Sequence, residues 1–135
     1  MAKVTGIGGV FFKSKSDHTA LAAWYAKHLG LKLEPWGGAI LKWADDAKPD
    51  GGLTVWNLAE KSSQWFSPSE ASFMINYRVD DLDALLTQLR RDGVSIVKGP
   101  ESHENGRFAW ILDLDGNKVE LWQPMAWDEK NKQRP

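Results

Sequence analysis

The stretch Gly116-Asn117-Lys118-Val119-Glu120-Leu121-Trp122-Gln123-Pro124 decides the fold. It follows the turn-forming run Asp113-Leu114-Asp115-Gly116 and then alternates as a strand does. Side chains on a strand point to opposite faces in turn. Val119 and Leu121 therefore share one face, and Lys118, Glu120 and Trp122 share the other. The first face is apolar and suits packing on helices. The second sets a carboxylate beside an indole. Two readings fit that second face: a half-solvated strand surface, or the lining of a cavity.

The chain has 135 residues, enough for one domain or for two small halves that share a core. Hydrophobic residues make up 42% and charged residues 26%, the balance of a globular protein in water. A net charge of -1 gives no reason to expect nucleic acid or another polyanion as partner. The absence of cysteine excludes disulfides, thiolate nucleophiles and cysteine-based zinc sites. Met1-Ala2-Lys3-Val4 lacks the apolar run of a signal peptide and nothing approaches a membrane span, so a cytoplasmic location is the expectation. The 8 Trp against 2 Tyr direct attention to an aromatic-lined pocket.

Working backwards from the closing stretch, the same order of elements occurs twice. Residues 4–12 read as a strand thinned by Gly6, Gly8 and Gly9. Ser16 or Asp17 opens a helix whose stripe is Leu21, Trp24, Tyr25 and Leu29, and Gly30 stops it. His18 and His28 fall at its two ends. Strands are expected at 31–34, 39–43 and 53–57, with a polar loop at 44–52. Residues 58–70 form a longer polar connection whose Trp65-Phe66 pair suits packing over something. Residues 72–79 then alternate, with Phe73, Ile75, Tyr77 and Val79 opposite Met74, Asn76 and Arg78. Asp80-Asp81 opens a second helix with the stripe Leu82, Leu85, Leu86 and Leu89, ended by Gly93. A short strand at 94–97, a loop at 98–106 containing His103, and strands at 108–112 and 118–124 complete the chain before a polar tail. Gly30 matches Gly93, Asp50-Gly51 matches Asp115-Gly116, and Trp56 matches Trp122, as in an internal duplication. The fold class expected is α+β: two βαβββ modules, about 3–58 and 71–124, with mixed sheets curved around a cavity and a tail at 125–135.

The run Val79-Asp80-Asp81-Leu82-Asp83, followed by the Asp113 to Asn117 turn and the strand ending Glu120-Leu121-Trp122, resembles the vicinal oxygen chelate superfamily. That family includes glyoxalase I, bleomycin resistance proteins and extradiol dioxygenases, and the resemblance extends from Val4 to Trp122. It implies paired βαβββ modules and, in members that do chemistry, a divalent metal held by His, Gln or Glu from four equivalent strands. The matching positions here fall among Gly8, Gly9, Val10 and Phe11 in the first strand, then at Thr54, Met74 and Glu120. Glu120 alone has the family's ligand chemistry, so no metal and no other cofactor is expected.

By parity the cavity face would carry Thr54, Trp56, Met74, Asn76, Arg78, Lys118, Glu120 and Trp122, while pattern does not fix the facing of Trp43 and Trp110. Trp110 is taken as a ligand contact and Glu120 as the reactive or ligand-orienting carboxylate, with Arg78 as its compensating cation. In the other reading Arg78 and Glu120 pair across strands and the indoles fill the sheet. The leading expectation is a metal-independent small-molecule-binding protein, similar to the bleomycin resistance branch, with a planar or apolar ligand. A glyoxalase- or lyase-like enzyme using Glu120 as base or metal ligand is the alternative. A homodimer is expected, because the resemblance implies cavities shared between chains and one chain would leave open sheet edges.

Overall fold

The computed structural model describes residues 7, 9–46 and 53–125. Two helices cover one face of a single mixed sheet. Helix α1 (His18–Leu29) starts where the Asp17 carboxylate accepts from the amides of Thr19 at 2.9 Å and Ala20 at 3.3 Å. It ends at Gly30, whose left-handed φ of 72° is open to glycine without cost. Helix α2 (Leu82–Arg91) is capped by Asp81, which accepts from Ala84 N at 3.0 Å, and the Gln123 side chain takes the Leu82 amide at 2.7 Å. No helix among the described residues is long and apolar enough to cross a membrane.

The strands are β1 (Ile75–Arg78), β2 (Ile96–His103), β3 (Gly106–Leu112) and β4 (Lys118–Pro124), ordered β1-β4-β3-β2. β4 runs parallel to β1 and antiparallel to β3, and β2 pairs antiparallel with β3. The alternation of the closing strand holds: Val119 and Leu121 are fully buried beside Ala109 and Ile111. Leu21 and Tyr25 of α1 and Leu82, Leu86 and Leu89 of α2 close over them, with Leu85 partly buried at the margin.

One buried carboxylate organises the turn between β3 and β4. Asp113 Oδ1 accepts from the amides of Asp115 and Asn117, both at 2.9 Å. Its Oδ2 accepts from Asn117 Nδ2 at 2.9 Å and from the Tyr25 hydroxyl at 2.8 Å. The last bond ties α1 to the sheet across 88 residues of sequence. Burial, then the neighbouring Tyr77 and Asp113, push the Tyr25 hydroxyl far above the ordinary phenol range, so it remains a donor. A second carboxylate staples the same turn from outside. Asp115 accepts from Ser14 Oγ and Lys15 N at 2.7 Å and from Ser16 Oγ at 2.9 Å, and these bonds hold its carboxyl below the usual range.

The first half differs from its expected form. Among its described residues there is one helix, a 3-10 turn at Trp43–Asp45 and a single antiparallel bridge, Leu33 to Ala39. Residues 9–12 and 53–57 carry the alternation of strands but form none. A strand needs a neighbour to complete its hydrogen bonds, and among the described residues none pairs with these segments. Among the described residues the strands form one sheet, built from residues 75–124. Residues 4–6, part of the 44–52 loop with Asp50-Gly51, and all but Met125 of the tail lie outside the described residues. The loop expected at 98–106 is also corrected: β2 continues through Gly99-Pro100 to His103. It is an edge strand with register shifts on either side of Lys98, so the missing amide of Pro100 costs no ladder bond in the sheet.

Tyr25→Phe removes one donor from a buried carboxylate and should lower unfolding free energy by about 1–3 kcal/mol in urea titrations. Asp115 has its folded pKa depressed, so its contribution is present above pH 3.8 and is lost as pH falls through the folded value. Wild type should therefore lose more stability than Asp115→Asn between pH 4 and pH 2, and parallel acid titrations of the two would refute the staple.

Candidate functional site

The sheet face away from the helices carries two rows of side chains in register. Asn76 lies opposite Glu120, Glu120 opposite Trp110, and Trp110 opposite Lys98, one residue from each strand. In the next row Arg78 lies opposite Trp122, and Trp122 opposite Phe108. The Phe108 ring is 5.8 Å from Trp122 at 5° between planes and 6.2 Å from Trp110 at 15°, so three rings form a nearly parallel strip. The edge of the strip is fixed by Trp122 Nε1, which donates to Asn105 O at 2.9 Å. Gly106 permits this approach, since a Cβ there would stand 2.8 Å from that nitrogen and 2.3 Å from Gln123 O.

Glu120 is held by two neutral donors. Its Oε1 accepts from Asn76 Nδ2 at 2.7 Å and its Oε2 from Trp110 Nε1 at 2.8 Å. Cations stand to the side. Lys98 Nζ lies 5.1 Å over the Trp110 ring and 3.5 Å from Glu101 Oε2. Lys118 is buried, with its Nζ donating to Trp65 O at 2.6 Å. Burial, followed by the positive charge of Lys98, lowers its pKa from 10.5, with Glu120 acting in the opposite direction. The 58–70 connection thus does lie over something: its Trp65 carbonyl caps the Lys118 ammonium at the margin of the aromatic strip.

The expected constellation is assembled in part. Asn76, Glu120, Lys118, Trp122 and Trp110 come together as the floor, and the facing of Trp110 is now fixed. Met74 is half-buried immediately before β1. Arg78 does not compensate Glu120. Its guanidinium instead binds the Asp46 carboxylate, with Nε at 2.8 Å, and the Leu53 carbonyl. Arg78 is one row away from Glu120, and the closer carboxylate from the 43–46 turn captures it. Thr54 and Trp56 are not part of the floor: both are exposed, Trp56 by 73%, and their segment meets the sheet where the Leu53 carbonyl accepts from Arg78. Trp43 is likewise 85% exposed. Three contributors went unread. Phe108 shares the parity of Trp110 in the same strand and was legible in principle. Lys98 was hidden by the loop reading, and Trp65 acts through its backbone, which sequence does not advertise.

No group of three His, Cys, Asp or Glu residues that could hold a metal occurs among the described residues. Glu120 is flanked by an amide, indoles and an ammonium, Met74 offers a thioether, and Gly9, Val10 and Phe11 offer no side-chain donor. This donor set does not fit a resident divalent ion, which needs three or more imidazole, thiolate or oxygen ligands.

Residues 14–121 match the family model described as the Glyoxalase/Bleomycin resistance protein/Dioxygenase superfamily. The chain belongs to this superfamily. No curated protein matches it. Among solved structures, this superfamily member is similar to TnmS3, an antibiotic binding protein from Streptomyces sp. CB03234. The match has 26% identity over 90% of this chain and 100% of that one, with a TM-score of 0.54. A protein from the mobile metagenome of V. pseudocholerae shares the fold at 19% identity, covering 93% and 99% of the two chains with a TM-score of 0.56. A glyoxalase/bleomycin resistance protein from Streptomyces sp. CB03234 is 38% identical, but the match covers 38% of this chain and 46% of that one, with a TM-score of 0.36.

The depressed pKa of Lys118 has a measurable consequence. Between its folded value and 10.5 the unfolded chain binds a proton that the folded chain does not, so this group makes stability rise with pH in that window. Below pH 10, before the two buried tyrosines begin to act in the opposite sense, the stability difference between wild type and Lys118→Met should shift steadily in favour of wild type. Denaturant midpoints at intervals from pH 7 to pH 10 measure it, and a constant difference would show that the ammonium is fully solvated in the fold.

Proposed function

We propose that this protein binds a small planar or apolar molecule against the aromatic strip, without a metal, and that Glu120 orients the polar end of the ligand. The observation that carries the reading is the strip itself. Trp122, Phe108 and Trp110 lie nearly parallel, and a carboxylate whose two oxygens are already directed by Asn76 and Trp110 closes the row. Stacking supplies affinity with little directional demand, and the fixed carboxylate supplies orientation. The similarity to an antibiotic binding protein over 90% of the chain supports a binding role over a catalytic one. The donors around Glu120 among the described residues, an amide and an indole, favour metal independence.

The reading includes a homodimer of module-paired chains, with boundaries near residues 3–58 and 71–124. The first half leaves Phe11, Trp36, Leu41, Trp43 and Trp56 each more than 60% exposed, far more apolar surface than a monomer keeps in one region. The sheet ends in two open edges, β1 and β2. A second copy, whose own residues 9–12 and 53–57 lack strand partners, satisfies both needs at once, and Thr54 and Trp56 then join a floor from across the interface.

Glu120→Gln keeps the shape and loses the charge. Titration of Trp fluorescence against a panel of planar aromatic compounds should find a ligand for wild type. The variant should bind it at least about tenfold more weakly, a loss near 1.4 kcal/mol, with stability within about 1 kcal/mol of wild type. A variant with full affinity, or one that loses several kcal/mol of stability with no quenching ligand found for wild type, would reject the role. Sedimentation should give a dimer, and elemental analysis of protein prepared without chelator should show no stoichiometric transition metal; a monomer at all concentrations or one bound metal per chain counts against the corresponding part.

A further inference from the structure

The aromatic strip is closed in the chain as it stands. Trp110 is 5% exposed and Trp122 8%, and Phe108 and Glu120 beside them are half-buried. A planar molecule stacks only on an open ring face, so the groups that lie over these rings must move before one binds. The strands do not supply that movement, because β3 and β4 are the two inner strands and each is paired on both sides. Two movable covers meet the floor. One is the exposed Lys98 side chain, whose ammonium lies 5.1 Å over the Trp110 ring. The other is the 58–70 connection, whose Trp65 carbonyl accepts from Lys118 Nζ at 2.6 Å.

The connection holds its own shape. Ser63 N donates to Glu60 O and Ser67 N to Gln64 O, both at 3.0 Å, and Ser69 N donates to Phe66 O at 2.9 Å. The hydroxyls of Ser63 and Ser69 accept from the amides of Trp65 and Ala71, each at 3.1 Å. These bonds close within the segment as a run of turns, so it keeps its form whether or not it touches the sheet. Residues 58–65 are exposed throughout, while Phe66 and Ser69 are half-buried. Lys118 is its opposite: fixed in β4 and only 6% exposed. Burial and the charge of Lys98 both act against this ammonium. Lifting the connection breaks one charge-assisted bond and returns the ammonium to water, which offsets part of the loss. A segment with exposed backbone, turns of its own and one such tie belongs to the part of a fold that opens most readily.

We propose that the 58–70 connection is a lid on the aromatic strip and that Lys118 is its latch. The inference rests on the binding role given to the strip above and concerns access to it. With the latch made, the Trp65 carbonyl sits on the Lys118 ammonium at the margin of the strip. With the latch broken, the connection lifts as one unit and the ring faces open. Lys98 leaves the Trp110 face by turning to Glu101, whose Oε2 is already 3.5 Å from its ammonium. Lys118 touches the lid and not the ligand, so it is a positioning residue that governs how fast a ligand enters.

Acridine, planar and uncharged at neutral pH, is the probe. In stopped-flow mixing with the full chain, the rate of Trp quenching should level off at high acridine, at the rate of lid opening. Lys118→Met removes the donor and keeps the stem, and it should raise that plateau about tenfold or more. Lys118→Arg restores a donor and should return the plateau towards wild type. A second measurement needs no ligand: hydrogen exchange of the Trp110 indole N–H should quicken in Lys118→Met by a similar factor and recover in Lys118→Arg. If Lys118→Met does not fold, Phe66→Ala loosens the half-buried ring of the lid and should act in the same direction. A quenching rate that climbs linearly with acridine in wild type, or plateau and indole exchange unchanged in Lys118→Met, would overturn the lid and leave the binding reading intact. Faster indole exchange in Lys118→Met, with acridine quenching no variant, would support the lid and count against the binding reading.

Discussion

The Asp113 carboxylate is the constraint on which the rest of the structure depends. A buried charge is tolerated only when its lone pairs are filled, and here four donors fill them. Three of those donors come from the turn itself and fix its path. The fourth, the Tyr25 hydroxyl, brings α1 onto the sheet. With the turn set, β4 leaves it in one register against β3, and a shift by one residue would exchange the buried Val119 and Leu121 for Lys118 and Glu120. Helix docking, strand register and the identity of the floor are consequences of one local network.

The sheet then separates two chemistries. Its helix side is a dry core of aliphatic residues with two tyrosines at the edge of the Asp113 network. Its other side is an aromatic surface with fixed polar ends. Glu120 is directed there by two neutral donors, Asn76 and Trp110, and not by the Arg78 guanidinium. Arg78 serves a different purpose. By binding Asp46 and the Leu53 carbonyl it anchors the first half of the chain to the edge of the sheet. Substitution at Arg78 would thus act first on how Asp46 and Leu53 are held.

The exposed apolar residues of the first half and the open edges of the sheet are two aspects of one incompleteness. Alternating segments such as 53–57 have the composition of strands and expose Leu53, Val55 and Trp56, and β1 offers hydrogen-bonding groups on an edge only four residues long. Family membership is shown by the match over residues 14–121, and the described residues of the single chain form one sheet. The proposed dimer is the reading that reconciles them.

Local rules determined a great deal. Helix starts at Asp17 and Asp81 and stops at Gly30 and Gly93 were legible, because capping and left-handed glycine act within a few residues. The two faces of β4 were legible because alternation is a property of the extended backbone itself. From these followed the core, the Glu120 and Trp122 face, and the resemblance that the family match supports. What only the tertiary structure decided were choices among partners. Arg78 had two carboxylates within plausible reach, and the Asp46 turn took it, leaving Glu120 to Asn76 and Trp110. Gly99-Pro100 reads locally as a break, but an edge strand tolerates it because no neighbour asks for the missing amide. Thr54 and Trp56 match the second-half positions in sequence, but a strand exists only where another strand meets it, and pairing is decided by distant chain that no local pattern encodes.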